Sequence, residues 1–211
     1  MKYHKIDTVY KRAKDDSLIM GDWSKPEFAY LADGKWELTE KVDGTNIQIF
    51  WDGKQPKFMG REDSDEIVPH LLEKLAEMFP AEKLLNVFGN RGNLWLYGEG
   101  YGYDTSANGH HYLPDSVSFI LYDVMGWDRD RELYTYFTRE MVYRTAEKLG
   151  IDHVPVIGIG TLFDAISITR KGMVSRLATT HAEGLVMRPV IELRNNRGDR
   201  IISKIKLRDF K

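Results

Sequence analysis

Five charged residues have settings that could carry chemistry: Lys41, Glu99, Glu183, Lys204 and Lys206. Lys41 lies in "TEKVDGTN", between the alternating "KWEL" and the β-forming "IQIFW". Glu99 is flanked by glycines in "LYGEG", and Glu183 precedes the apolar run of "AEGLVMRP". Glycine beside a strand-end carboxylate lets a ligand or metal approach the bare backbone. Lys204 and Lys206 alternate with Ile205 and Leu207 in "SKIKL", so both ammonium groups project from one strand face. Two such charges repel unless an anion lies between them. A lysine can also be a nucleophile, but only after losing the proton it ordinarily holds up to about pH 10.4. Singly, each residue has an ordinary reading, with Asp43-Gly44 as a surface hairpin turn and the others as edge charges. The order Lys, Glu, aromatic-Asp, Glu, Lys-x-Lys is harder to explain that way.

The elements that must position these residues can be read from periodicity. "KWELTEKVDGTNIQIFWDGKQPKFMGRED" reads as three strands, with a hairpin turning at Asp52-Gly53. "DEIVPHLLEKLAEMF" reads as a helix, since Ile67, Leu71, Leu75 and Met78 recur at helical spacing and Pro80 follows. "NLWLYGEG" and "SVSFILYDVMGW" are strands. "TREMVYRTAEKLG" is a helix with Thr138 as N-cap and Gly150 as stop. "HVPVIGIG" reads as one strand and "TLFDAISITRKGMVSRLA" as a helix broken at Gly172. "EGLVMRPVIEL" and "RIISKIKLRDF" close the chain as strands. Strands and helices do not alternate regularly, which predicts an α+β fold of mostly antiparallel sheets with flanking helices. No repeat or long linker divides the 211 residues, so a single domain over 1–211 is expected.

Composition narrows the function classes. Net charge is −2 and cysteine is absent, which excludes a globally basic nucleic-acid coat and any thiolate metal site. No apolar run approaches the roughly 18 residues of a membrane span, and the charged start has no signal-peptide core. A cytoplasmic monomer with no membrane partner is expected. Charge is unevenly spread. From Arg188 to Lys211 there are eight Lys or Arg against three acids, and Lys2, Lys5, Lys11, Arg12 and Lys14 make the start basic too. Basic ends on a near-neutral body fit a local polyanion site. There is no G-x-x-x-x-G-K-[ST], and "GEGYG" lacks the last glycine of G-x-G-x-x-G because Tyr103 stands there. His110 and His111 are adjacent, without usual zinc spacing.

The ordered motifs resemble those of the covalent nucleotidyltransferase superfamily, which comprises ATP-dependent DNA ligases, RNA ligases and mRNA-capping guanylyltransferases. "KVDG" matches the nucleophile motif, "LYGEG" the third, "FILYDV" the next, "EGLVMRP" the fourth and "SKIKL" the fifth. They span residues 41 to 206 in family order. The resemblance implies a nucleotidyltransferase domain with the nucleotide held between its sheets. Within the superfamily, Asn46 stands where DNA ligases and capping enzymes generally carry arginine. "EKVDGTN" is similar to the E-K-x-x-G-T-N of RNA ligases of the double-strand-sealing type. Arg61 in "GRED" stands where those enzymes have a substrate- and nucleotide-contacting arginine. Compact members are frequent in phage genomes, so the resemblance also implies a phage source and action in the host cytoplasm.

What the resemblance implies is an ATP-dependent RNA ligase that joins 3′-hydroxyl and 5′-phosphate ends through a lysyl-AMP on Lys41. ATP and Mg²⁺ or Mn²⁺ are the expected cofactors, and nucleic acid, RNA rather than DNA, the expected partner. Glu183 is the expected metal ligand, with Glu99 on the ribose or a metal-bound water. Lys204 and Lys206 would hold the α-phosphate and Tyr122 would stack on adenine. Glu40, through backbone or side chain, would lie near the adenine, and Gly44, Asn46 and Arg61 complete the nucleotide site. The alternatives are a minimal DNA ligase, or a non-catalytic nucleic-acid-binding module. The sequence stops five residues after Lys206, without the OB-fold or helical domain that usually follows the fifth motif, which leaves two readings: a natural minimal ligase, or a chain from which that domain has been removed. Residues 1 to about 20, with Lys5, Lys11, Arg12 and Lys14, are expected to fold against the nucleotide site and replace part of that domain's basic charge at the pyrophosphate.

Overall fold

Apolar residues at every second position place strands onto a core, and the described residues form two large sheets and a two-stranded one, β2-β3. The computed structural model describes residues 2–62 and 65–210, so Lys211 of the basic end lies outside it. In chain order the strands are β1 (Asp7–Thr8), β2 (Tyr10–Arg12), β3 (Leu18–Trp23), β4 (Trp36–Lys41), β5 (Thr45–Trp51), β6 (Pro56–Met59), β7 (Leu94–Gly102), β8 (Val117–Asp128), β9 (Leu133–Tyr136), β10 (Asp152–His153), β11 (Val156–Gly160), β12 (Gly184–Pro189) and β13 (Ser203–Lys206). The helices are α1 (Pro26–Tyr30), α2 (Pro69–Met78), α3 (Ala81–Phe88), α4 (Arg139–Leu149) and α5 (Leu162–Lys171). Pairing is antiparallel throughout, except that β1 runs parallel to β13 and β10 parallel to β8. The α+β architecture of mostly antiparallel sheets is as the sequence predicts.

The chain divides into two compact units. One holds Asp43–Val154 together with residues 2 and 3, and the other holds His4–Val42 and the chain from Pro155 onward. In the first, the strand order is β10-β8-β7-β5-β6, with β9 also on β8. One face of that sheet presents Ile47, Ile49, Trp51, Leu96, Phe119 and Leu121, all almost fully buried against Leu71, Leu75 and Val142 of α2 and α4. In the second, the order is β1-β13-β12-β4-β11. There Trp36, Leu38, Leu185, Met187 and Ile205 pack against Leu162, Ala165 and Ile166 of α5.

The strands around Asp43-Gly44 do not form a hairpin. β4 pairs with β12 and β11, whereas β5 pairs with β6 and β7. The chain changes sheet at that turn, which local sequence does not distinguish from a hairpin. The turn at Asp52-Gly53 does close β5 onto β6. Asp52 Oδ1 accepts from the N–H groups of Lys54 and Gln55, both at 2.8 Å, and Gly53 takes φ +94°.

Helix boundaries follow local chemistry. Pro69 opens α2, four residues after the start that periodicity suggests, because proline fits the first helical position and lacks the N–H needed deeper in. Thr138 caps α4 by accepting from Met141 N, and Gly150 ends it in the left-handed region. Thr161 and Asp164 form a reciprocal capping box on α5, which stops at Gly172. "HVPVIGIG" is divided at Pro155 into β10 and β11, one in each unit.

Candidate active site

The register of the second unit's sheet brings three of the sequence-selected residues to one place. Lys41 of β4 lies opposite Gly184 of β12, and Gly184 lies opposite Lys206 of β13. Leu185 and Ile205 of the next row point into the core, so the Lys41 row faces away from it. Neighbouring strands are about 4.8 Å apart, and the middle position of the row carries no side chain. Glu183 fills the space. Its Oε2 accepts from Lys41 Nζ at 2.5 Å and its Oε1 from Lys206 Nζ at 2.6 Å.

Gly184 is required by close approach. A Cβ there would stand 2.0 Å from the Ile205 carbonyl oxygen. The backbone of Glu183 is held as well, since its carbonyl accepts from Leu207 N at 2.8 Å. The side chains of Lys41, Glu183 and Lys206 are only 15–21% exposed. Burial pushes the Glu183 carboxyl up, but the charges and hydrogen bonds of Lys41 and Lys206 outweigh that and hold it below the usual carboxylate range. Lys204 lies on the same face, two residues before Lys206 and opposite Val186.

Glu40 points the other way and is 1% exposed. Its carboxylate accepts from Ser175 Oγ at 2.5 Å and Arg176 N at 2.8 Å, so the side chain holds the turn that follows α5. Its side chain is thus committed to that turn, while its backbone stays in β4 beside Lys41. The N-terminal cations are also engaged. Lys11 pairs with Asp22 and Arg12 with Asp209, each at 2.7 Å. Both belong to the β2–β3 hairpin, and each has a carboxylate partner within the same unit.

The first unit holds the remaining selected residues. Asn46 of β5 lies opposite Glu99 of β7. Gly44 is required just before β5, because a Cβ would stand 2.2 Å from the Gly100 carbonyl oxygen. The turn is also clasped by the 105–112 loop: Asn108 Nδ2 donates to Asp43 Oδ2 at 2.8 Å and Thr45 Oγ1 to the Thr105 carbonyl at 2.7 Å. Arg61 is exposed. Buried Gln48 fixes its backbone by donating to the carbonyls of Gly60 and Arg61, at 2.8 and 3.1 Å.

Tyr122 sits at a β-bulge, where the β7–β8 register slips between Tyr97 and Gly98. A bulge re-aims a side chain and frees a backbone group. The freed carbonyl accepts from Arg139 Nη1 at 2.6 Å, and the Tyr122 hydroxyl accepts from Asn46 Nδ2. Burial, together with the charges of Glu99 and Asp123, pushes the Tyr122 phenol well above its ordinary value, so it stays a neutral donor and acceptor. The Asn46 Oδ1 is buried without a hydrogen-bond partner, an acceptor available to a ligand.

Tyr3 was not legible as a site residue. Its ring packs on those of Tyr97, Tyr122 and Tyr136, with centroids 4.9, 5.0 and 6.1 Å away, and its hydroxyl donates to buried Asp123 at 2.7 Å. No local pattern marks a contact that spans 120 residues.

A family model described as RNA ligase matches residues 34–206. Solved structures of a Naegleria gruberi RNA ligase share the fold. A mutant form with ATP and Mn aligns at TM-score 0.67 and 20% identity over 98% of this chain and 56% of that one. Another mutant form, with AMP and Mn, aligns at 0.68 and 18% over the same shares. The form with PPi aligns at 0.67 and 18%, again over 98% and 56%. The chain thus spans little more than half the length of these proteins. No curated protein sequence matches it.

Two measurements check this geometry. A carboxyl held low in the folded state contributes its full stabilisation above the unfolded-state value, about 4.3, and loses it as pH falls from there through the lower folded-state value. The stability difference between the native chain and Glu183→Gln should therefore be full above about pH 5 and shrink below about pH 4, as read by urea unfolding at each pH. Tyr3→Phe removes one donor from a buried carboxylate and should cost about 1.5–3 kcal/mol in the same assay at neutral pH.

Proposed function

The chain belongs to the RNA ligase family, and from that we propose that it seals RNA, joining 3′-hydroxyl and 5′-phosphate ends at the expense of ATP with Lys41 as the nucleophile. The observation that carries this reading is the arrangement of Lys41 and Lys206 on the two oxygens of Glu183, with Lys204 on the same face. A site of that composition offers an amine together with fixed positive charge, which is what transfer of a phosphorus-bound group requires.

Lys41 must first lose a proton to solvent, and its bond to Glu183 favours the ammonium form. Weakening that bond is the chemical requirement for the first step. The freed amine attacks the α-phosphorus of ATP, and an N–P bond forms as the bond to pyrophosphate breaks. Lys204 and Lys206 neutralise the α-phosphate oxygens. As the N–P bond forms, the nitrogen gives up a second proton. An oxygen of the RNA 5′-phosphate then attacks the same phosphorus, the N–P bond breaks, and the Lys41 nitrogen takes up both protons again. Finally the 3′-hydroxyl gives up its proton and attacks the activated 5′-phosphate, releasing AMP.

Among the described residues no cluster of three or more His, Asp or Glu could hold a metal alone. Mg²⁺ or Mn²⁺ commonly binds through one or two carboxylates together with substrate phosphates and water; Glu183 and Glu99 are the carboxylates we assign to that role. Such an ion would supply positive charge that disfavours the Lys41 ammonium and screens the triphosphate. For the nucleotide, we assign Tyr122 to the adenine ring, Asn46 and Arg61 to polar contacts, and the backbone at Glu40 and Gly44 to close approach. No helix among the described residues is long and apolar enough to cross a membrane. We place the protein as a monomer in the cytoplasm, that of the host if it is phage-encoded.

Incubation with labelled ATP and Mg²⁺ should yield a covalent AMP adduct that is acid-labile and alkali-stable. Lys41→Ala should abolish it while the circular dichroism spectrum is kept. Labelling of that variant would displace Lys41 from the role. On matched nicks, a 3′ end bearing a 2′-hydroxyl should be joined about tenfold faster than a DNA end, the worth of one hydrogen bond. Equal rates would return the chain to the DNA-sealing alternative.

A further inference from the structure

Arg139 stands where helix physics disfavours it. It is the first residue of α4, directly after the cap at Thr138, and the positive end of a helix macrodipole favours acids there. Glu140 obeys that rule and Arg139 does not, so its place calls for a contact outside the helix. The guanidinium is held by the Tyr122 carbonyl and by Tyr143. Nη1 donates to that carbonyl at 2.6 Å. The guanidinium carbon lies 4.9 Å from the centroid of the Tyr143 ring, and Nη2 donates to its hydroxyl at 3.3 Å. Tyr143 is backed in turn by the His153 ring, with centroids 4.3 Å apart. Val142, Ala146 and Leu149 fix α4 in the core of the same unit, so the donor sits on a rigid element.

The backbone at Tyr122 needs such a partner. Across β7, Tyr97 lies opposite Asp123 and Gly98 opposite Leu121, so Tyr122 has no ladder position of its own. On the other side the β10 register runs to Leu121, whose carbonyl accepts from Val154 N at 2.9 Å. The bulge can therefore re-aim the Tyr122 side chain, while its carbonyl has to be satisfied from outside the sheet. The side chain itself is held elsewhere. Its hydroxyl accepts from Asn46 Nδ2, and the Tyr3 ring meets it edge-on at 5.0 Å. Those contacts steady the ring, and Arg139 steadies the backbone that carries it.

We propose that Arg139 is a positioning residue of the nucleotide site, which holds the bulge so that the Tyr122 ring presents its face to the base of ATP. Arg139 does not touch the nucleotide in this role and acts through Tyr122. Stacking depends on ring orientation, and a ring on an unheld bulge would have to be ordered at each binding event, at an entropic cost to affinity. The proposal rests on the assignment of Tyr122 to the adenine ring, and adds a determinant of base affinity from outside the five motifs. A guanidinium that only docked α4 on the sheet would change stability and leave recognition of the base alone.

The test uses the full chain carrying Lys41→Ala, which on the proposed reading binds ATP without consuming it. ATP and inorganic tripolyphosphate are each titrated calorimetrically in the presence of Mg²⁺. Arg139→Met in that background should weaken ATP about tenfold, the worth of one charge-assisted hydrogen bond. It should leave tripolyphosphate, which has no base, unchanged, and that result also shows that the variant folds. Arg139→Lys, which keeps a cationic donor, should recover part of the loss. Tyr122→Ala should weaken ATP at least as much, and adding Arg139→Met to it should cost nothing further. Unchanged ATP affinity in Arg139→Met would overturn the proposal, and so would equal losses for ATP and tripolyphosphate. Losses by Arg139→Met and Tyr122→Ala that multiply in the pair would overturn it too, since Arg139 would then not act through that ring. ATP binding untouched by Tyr122→Ala would remove the ring from the base and the proposal with it. The RNA-sealing reading fails by a different result, a native chain that forms no AMP adduct with labelled ATP.

Discussion

The candidate site depends on one row of a sheet, in which Lys41, Gly184 and Lys206 stand side by side on three adjacent strands. Two ammonium groups that close together in a partly buried site would repel strongly, and the carboxylate of Glu183 between them removes the repulsion. Everything around the row serves to hold it. Leu38, Leu185 and Ile205 anchor the other face of the same strands, a one-residue slip would turn the lysines inward, and Gly184 lets β12 and β13 meet where a side chain could not fit. On the proposed reading, in which Lys41 is the nucleophile, the contact with Glu183 must be loosened before the amine can react.

The charged centre was legible in the sequence because its parts are short and local. A lysine before an Asp-Gly turn, a glutamate against a glycine and a Lys-x-Lys alternation each keep their meaning within a few residues. The register that unites Lys41, Glu183 and Lys206 was not legible, since it is set by pairing over some 140 residues of chain. The same limit explains the hairpin expected at Asp43-Gly44. The turn chemistry is right for a hairpin, but the apolar faces of β4 and β5 have different cores to cover.

Residues that support the site from a distance escaped for the same reason. Gln48 fixes the backbone at Arg61, Arg139 holds the bulge at Tyr122, and Tyr3 packs on that ring. None has a periodic or motif signal, because each contact is made across the fold. The basic start of the chain shows the converse. Its charge was visible in the sequence, but the carboxylates of Asp22 and Asp209 that take up Lys11 and Arg12 become neighbours only in the folded state.

The most direct test of the central claim is a double-mutant cycle between Lys41 and Glu183, with Lys41→Met, Glu183→Gln and the pair compared by urea unfolding at neutral pH. If Glu183 bridges the two ammoniums, the single costs will not add, and the coupling will be favourable by about 1 kcal/mol or more. Additivity within about 0.3–0.5 kcal/mol would mean that Lys41 and Glu183 do not share this contact, and the account of the site built on their row would fail.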